Sequence, residues 1–263
     1  MTIDCSYSVT GSGPALFLIH GIGARRATFA GLVEALKDRF TCISYDLRGH
    51  GESPVPAGRF GLDDLVDDLE ALRARLGIER AHFAGHSLGG MIGPAYARRH
   101  PERVLSLGLW STAAFRTDDD SSKVKSVVAA MRQKGIGNVL DTLTARWFTD
   151  AFAAAHPEVI ERRKKQVVDT PAEVFLNVFD IYAETEMAPW LHEITAPAQV
   201  LTGENDGGCN PRLNRQIADA IPDAELVILP DLKHAIFIEA TEKVVPHVRR
   251  FLLAQDAKQR QVH

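Results

Sequence analysis

The chain has 263 residues, 45% hydrophobic and 24% charged, enough to bury a large core as one domain or two small ones. Its net charge of −4, with no basic tail, argues against nucleic acid as a partner. No apolar run approaches the roughly 20 residues that span a bilayer, and Met1-Thr2-Ile3-Asp4 lacks the basic start and apolar stretch of a signal peptide, which points to the cytoplasm.

Residues 3–9 read as an edge strand closed by the turn Gly11-Ser12-Gly13-Pro14. The continuous apolar run Ala15 to Ile19 reads as a strand buried on both faces. It leads into His20-Gly21-Ile22-Gly23, after which Phe29, Leu32, Val33 and Leu36 show helical spacing over 28–38. Thr41 to Tyr45 is a further short strand, followed by Asp46-Leu47-Arg48-Gly49-His50-Gly51-Glu52-Ser53. Leu62, Leu65, Val66, Leu69, Leu72 and Leu76 mark an amphipathic helix between Gly61 and Gly77. Ala81 to Gly85 reads as a buried strand, Met91 to Arg99 as a helix and Val104 to Trp110 as another strand.

The alternation then pauses. From about Phe115 to Trp190 there are only helical segments, broken at Gly135, Gly137, Pro157 and Pro171. Their basic centre, Arg162-Arg163-Lys164-Lys165, reads as a solvated face. Strands resume at Gln199 to Thr202 and Leu226 to Leu229, a helix from Thr241 to Ala254 closes the pattern, and the polar tail after Gln255 is expected to fray. Strands alternating with helices imply an α/β fold, a doubly wound, mostly parallel sheet covered on both faces. A helical cap, 115–190, is expected after the sixth strand, with 1–114 and 191–263 forming the core domain.

Between the strand ending at Gly85 and the helix that follows lies Gly85-His86-Ser87-Leu88-Gly89, a G-x-S-x-G pattern. Turning from strand to helix within about one residue strains the serine backbone and leaves no room for side chains at the flanking glycines. Such a turn lifts the hydroxyl clear of the sheet, at a helix start whose free N–H groups favour developing negative charge. A chain this long meets the pattern by accident roughly one time in ten, as an idle serine in a glycine-rich turn.

A serine hydroxyl needs a general base, and the base an orienting carboxylate. His234 lies in the loop between the last strand and the last helix, at the same C-terminal sheet edge as Ser87. His20 and His50 share that edge, and His86 neighbours the serine but reads as structural. His82, His100, His156, His192, His247 and His263 read as strand, helix-end or surface residues. For the acid, Asp206 in Gly203-Glu204-Asn205-Asp206-Gly207-Gly208 follows a strand at that edge, with Glu204 and Asp231 as competitors. The order Ser87, Asp206, His234 is the serine–acid–histidine order of one fold. The three cysteines, Cys5, Cys42 and Cys209, are odd in number and lack metal-ligand spacing, so reduced thiols are expected; Cys209 follows the acid loop.

His20-Gly21-Ile22-Gly23, Asp46 to Gly51, Gly85 to Gly90, Gly203 to Asp206 and His234 together resemble the α/β-hydrolase superfamily over essentially the whole chain. The resemblance implies the α/β-hydrolase fold, with Ser87 as nucleophile, Asp206 and His234 completing a triad, and the backbone N–H groups of Ile22 and Leu88 as oxyanion hole. His20 and the Asp46–Gly51 turn then buttress that hole. Serine at 87 sets the chain apart from dehalogenases and epoxide hydrolases, which resemble it but carry aspartate there. A closer likeness is to the 3-oxoadipate enol-lactonase group, carried most by Ser111-Thr112-Ala113-Ala114 and Arg146-Trp147-Phe148-Thr149-Asp150-Ala151-Phe152. The chain departs from that group in His20 to Gly23 and in Gly207-Gly208-Cys209-Asn210-Pro211.

The expectation is a hydrolase of a small carboxylic ester or lactone, such as an enol-lactone from aromatic-compound breakdown. Trp147 is expected to face the pocket, and Arg25, Arg26, Arg116 and Arg146 are candidate cations for an acidic substrate. Hydrolysis of a carbon–carbon or amide bond is the second enzymatic reading, and a ligand-sensing receptor on the same fold the third. No metal or organic cofactor is implied, since nucleophile, base and oxyanion donors are protein groups. The expected partner is the small-molecule substrate, with no nucleic acid and no membrane; the oligomeric state is left open.

Overall fold

The computed structural model describes residues 1–261, so the reading of His263 lies outside the described residues. Seven strands form one sheet in the order β1-β3-β2-β4-β5-β6-β7. They are β1 (Tyr7–Thr10), β2 (Ala15–Ile19), β3 (Thr41–Tyr45), β4 (Ala81–His86), β5 (Val104–Trp110), β6 (Ala198–Gly203) and β7 (Ala224–Leu229). Only β1 runs antiparallel, pairing Tyr7 with Tyr45 at the sheet edge; the other neighbours are parallel. The interior strands are nearly continuous apolar runs because helices cover both faces and leave no solvent side.

Helices α1 (Ala30–Leu36) and α11 (Thr241–Gln261) cover one face; α2 (Leu62–Arg75), α3 (Gly89–Arg99) and α9 (Pro211–Ala220) cover the other. Helix α2 shows how sequence makes the element. Asp64 accepts the Gly61 N–H at 2.8 Å to cap its start, and Leu65, Val66, Leu69 and Leu72 turn inward. Each such buried side chain contributes about 1.5–3 kcal/mol. Gly77 ends the helical stretch with φ of 65°, a left-handed conformation that glycine adopts without penalty. None of the described helices is long and apolar enough to cross a membrane.

Between β5 and β6 the chain leaves the sheet as helices α4 (Asp118–Lys134), α5 (Leu140–Trp147), α6 (Asp150–Ala155), α7 (Pro157–Val168) and α8 (Ala172–Glu184). This insertion follows the fifth strand of the chain, not the sixth, because the N-terminal segment supplies one antiparallel strand before β2.

Three local expectations also change. The stretch expected as one helix over 28–38 opens as a 3₁₀ turn, Arg26–Phe29, before α1. The expected fray after Gln255 is not seen: α11 runs on to Gln261, past the buried Phe251, Leu252 and Gln255. Helices α9 and α10 (Ile236–Glu239) were not anticipated. The signal for α9 was present, since Asn210 accepts the Leu213 N–H at 3.1 Å and Pro211 occupies the first helical turn.

Strand order reverses between β2 and β4, where successive crossovers depart in opposite directions. A crevice opens there at the C-terminal strand ends. The loops after β2 and β4, carrying Gly21–Gly23 and Ser87, flank it.

Candidate active site

Ser87 stands between β4 and α3 with φ of 57°. For a residue with a Cβ that conformation costs roughly 1–2 kcal/mol, and the surroundings enforce it. The Ser87 N–H donates to Trp110 O at 2.8 Å, and its carbonyl accepts from Thr112 Oγ1 at 2.9 Å. The flanking glycines are required by contact. A Cβ on Gly85 would lie 2.1 Å from the Gly89 carbonyl carbon, and one on Gly89 would lie 2.0 Å from Ile19 O.

His234 follows β7 and Asp206 follows β6; His234 Nδ1 donates to Asp206 Oδ2 at 2.6 Å. Asp206 is 2% exposed, and its other oxygen accepts the N–H groups of Gly208 (3.0 Å) and Cys209 (2.8 Å). Burial pushes the Asp206 carboxyl up, but the imidazolium, its hydrogen bond and those two amides more than offset it, so the group sits below its ordinary range. Burial pulls the His234 imidazole down; the carboxylate charge and hydrogen bond outweigh it and hold the ring above its ordinary value. Glu204 and Asp231 are exposed, and Glu204 instead accepts the Asp231 N–H.

His86 is structural in its contacts. Its Nε2 donates to His234 O at 2.9 Å and its ring lies 4.7 Å from that of His234, so it supports the loop. Burial keeps it neutral, pulled down to about 3. His20 and His50 are wholly buried. His20 Nδ1 donates to Gly21 O (2.7 Å) while its Nε2 accepts Leu47 N–H (3.0 Å); His50 Nδ1 donates to Arg48 O and its Nε2 accepts Gly23 N–H (3.2 Å). Both rings therefore brace the loop after β2.

A cavity of about 390 Å³ lies between the sheet edge and the helical insertion. Its lining includes Ser87, Asp206, His234, Gly21, Ile22 and Trp147. Leu88 does not line it; the side chain is wholly buried, and the residue meets the site through its backbone, one position past Ser87. Of the candidate cations, Arg116 and Arg146 reach the cavity. Arg25 and Arg26 do not: Arg25 lies 3.8 Å from Asp169, and Arg26 pairs with Asp46 and Glu52.

The basic run is not uniformly solvated. Arg163 is 8% exposed, lines the cavity, donates to the carbonyls of Ile22 and Gly23, and stacks 4.7 Å over the Trp147 ring. Helical spacing sends this one position inward while Arg162 and Lys165 stay exposed, which a run of like charges conceals. Cys209 is buried beside the pair, 3.1 Å from the Tyr182 hydroxyl. The donor atoms of Asp206, Cys209 and His234 lie within 4.8 Å of one another, but Asp206 and His234 already satisfy each other.

Residues 14–241 match the family model of the alpha/beta hydrolase fold. Among curated proteins, 3-oxoadipate enol-lactonase 2 of Acinetobacter baylyi is 30% identical over 193 residues, 73% of this chain and 72% of the relative. The enol-lactonase structure from Burkholderia xenovorans superposes with a TM-score of 0.88 at 29% identity, covering 95% of this chain and 97% of that one. A thermophilic esterase from Thermogutta terrifontis, solved with malate bound, gives 0.87 at 29% identity over 96% and 94%.

Proposed function

The chain belongs to the α/β-hydrolase fold family, and we propose that it hydrolyses a small carboxylic ester or lactone through an acyl-enzyme on Ser87. The observation that carries this reading is the hydrogen bond between buried Asp206 and half-buried His234 at a cavity that also holds the strained Ser87. With Nδ1–H committed to Asp206, the His234 tautomer keeps Nε2 as a base. Ser87 Oγ attacks the acyl carbon, its proton passes to His234, and the tetrahedral oxyanion takes the N–H groups of Ile22 and Leu88. His234 returns the proton to the departing alkoxide or enolate. It then activates water, which releases the acid and restores the serine hydroxyl.

Segment 115–190 serves as the cap, with 1–114 and 191–263 as the core. Trp147 on the cap side forms an aromatic wall for the acyl group. Arg116 supports a substrate carrying a carboxylate. It lines the cavity, its Nη1 tied to Thr185 O at 3.0 Å and its guanidinium stacked 4.4 Å over Tyr182, so a held cation stands at the wall. Named relatives that act on an enol-lactone, and an esterase neighbour, support the same class.

The test is Ser87→Ala assayed against neutral and carboxylate-bearing esters and lactones. Loss of about 10⁶-fold in kcat on every hydrolysed substrate is expected. Retention of most of the activity would end this reading.

A further inference from the structure

The Ile22 amide owes its direction to more than the loop that carries it. Three successive peptides join Gly21, Ile22, Gly23 and Ala24, a stretch that lines the cavity at Gly21, Ile22 and Ala24. In the first, the Gly21 carbonyl takes His20 Nδ1 (2.7 Å) and the Ala24 N–H (3.2 Å), and because the peptide is trans the Ile22 N–H faces the opposite way. In the second, the Gly23 N–H is held by His50 Nε2 (3.2 Å) and the Ile22 carbonyl by Arg163 Nη2 (2.9 Å). In the third, the Gly23 carbonyl takes Arg163 Nη1. The core domain thus grips one side of the loop, while both remaining carbonyls are gripped from helix α7 of the insertion.

Arg163 is built for that task. Its two terminal nitrogens span adjacent carbonyls, as a guanidinium fork can and an ammonium cannot. Among the described residues no carboxylate pairs with it; burial, with Arg25 adding to the effect, pulls its pKa to about 10. A buried cation without an acid is expensive, so its retention calls for a return beyond packing. Gly23, at φ of 59°, bends the chain so that both carbonyls face α7.

We propose that Arg163 is a positioning residue for hydrolysis: it pins the two peptides that follow the Ile22 amide and so keeps that amide in place, and the oxyanion hole is held from both sides only with α7 docked. This inference rests on the reading of Ile22 as an oxyanion donor. It makes seating of α7 against that loop a condition for turnover, beyond the wall that the insertion offers to substrate.

The experiment compares wild type, Arg163→Met, Arg163→Lys and the control Lys165→Gln on one neutral ester. Steady-state kinetics is read together with inhibition by a trifluoromethyl ketone, which forms a tetrahedral adduct at a nucleophilic serine. For Arg163→Met, kcat should fall ten- to a hundredfold, short of the 10²–10³ lost when an oxyanion donor itself is removed. KM should stay within about twofold, and ketone affinity should fall by the same factor as kcat. Arg163→Lys, reaching one carbonyl, should recover part of both, and Lys165→Gln should match wild type.

An unchanged kcat, a loss confined to KM, or a kcat loss without a matching loss of ketone affinity would each overturn the proposal. If Arg163→Met does not fold, Arg163→Lys carries the same comparison. Failure of the underlying reading looks different: wild type would then be insensitive to the ketone and Ser87→Ala would stay active.

Discussion

The two walls of the cavity are made by different physics. On the core side, short turns after β2, β4, β6 and β7 aim their groups by backbone geometry: a serine at φ of 57°, glycines without room for a Cβ, and amides closing on Asp206. On the opposite side, long side chains of helices α5, α7 and α8 do most of the work: Trp147, Arg163 and Tyr182 reach the cavity from helices of the insertion. The comparison teaches that the proposed reacting groups are set by covalent proximity to the sheet, whereas the opposite wall is set by the placement of individual side chains. Arg163, the Ala235 N–H to Trp147 O bond (2.8 Å) and the Tyr182 hydroxyl against Cys209 (3.1 Å) tie the walls together at the site.

The sharpest way to probe the core wall is Asp206→Asn. It preserves shape but no longer holds the His234 tautomer, and should cost about 10⁴-fold in kcat with little change in the thermal melt. The pH profile gives the sign. The Asp206 charge raises the His234 pKa and neutral imidazole is the working form, so wild-type kcat/KM should rise with pH through a value above 6.5. In Asp206→Asn the burial that opposes ionisation is left uncompensated, and the limb should move to lower pH. A limb that stays in place would mean that His234 is not the titrating base.

A smaller effect, on folding instead of chemistry, is expected at Gly85→Ala. Its Cβ would fall 2.1 Å from the Gly89 carbonyl carbon, and backbone cannot yield as a side chain can. A loss of about 3 kcal/mol or more is expected in urea unfolding. Tolerance of alanine there would break the claim that backbone geometry builds this wall. The smallest effect belongs to the other wall. Trp147→Leu keeps an apolar lining but removes the face that Arg163 stacks on, and should lower kcat/KM about tenfold, or ~1.4 kcal/mol, without shifting the pH limb.

The same division explains how much of the fold and the site is legible in the sequence. The sheet, the serine turn, Asp206 and His234 were legible because each leaves a local signature: a continuous apolar run, glycines at fixed offsets, an acid or histidine just past a strand. The bounds of β2, β3 and β5 agree to the residue with the apolar runs. The helical wall was legible as helices but not as a lining. Nothing in Arg162-Arg163-Lys164-Lys165 distinguishes the one side chain that turns inward, because inwardness there depends on the packing of α7 against the loop after β2. Arg116 is one of four candidate arginines, and what separates it and Arg146 from Arg25 and Arg26 is a place on the cavity lining, which depends on how the insertion packs.

The central claim, that Ser87 is the nucleophile activated by His234, is tested most directly by intact-mass measurement after treatment with a fluorophosphonate, followed by peptide mapping. The account predicts one phosphonyl adduct per chain, located on Ser87, absent in Ser87→Ala and strongly slowed in His234→Ala. An adduct on another residue, or labelling of Ser87→Ala at the wild-type rate, would contradict it.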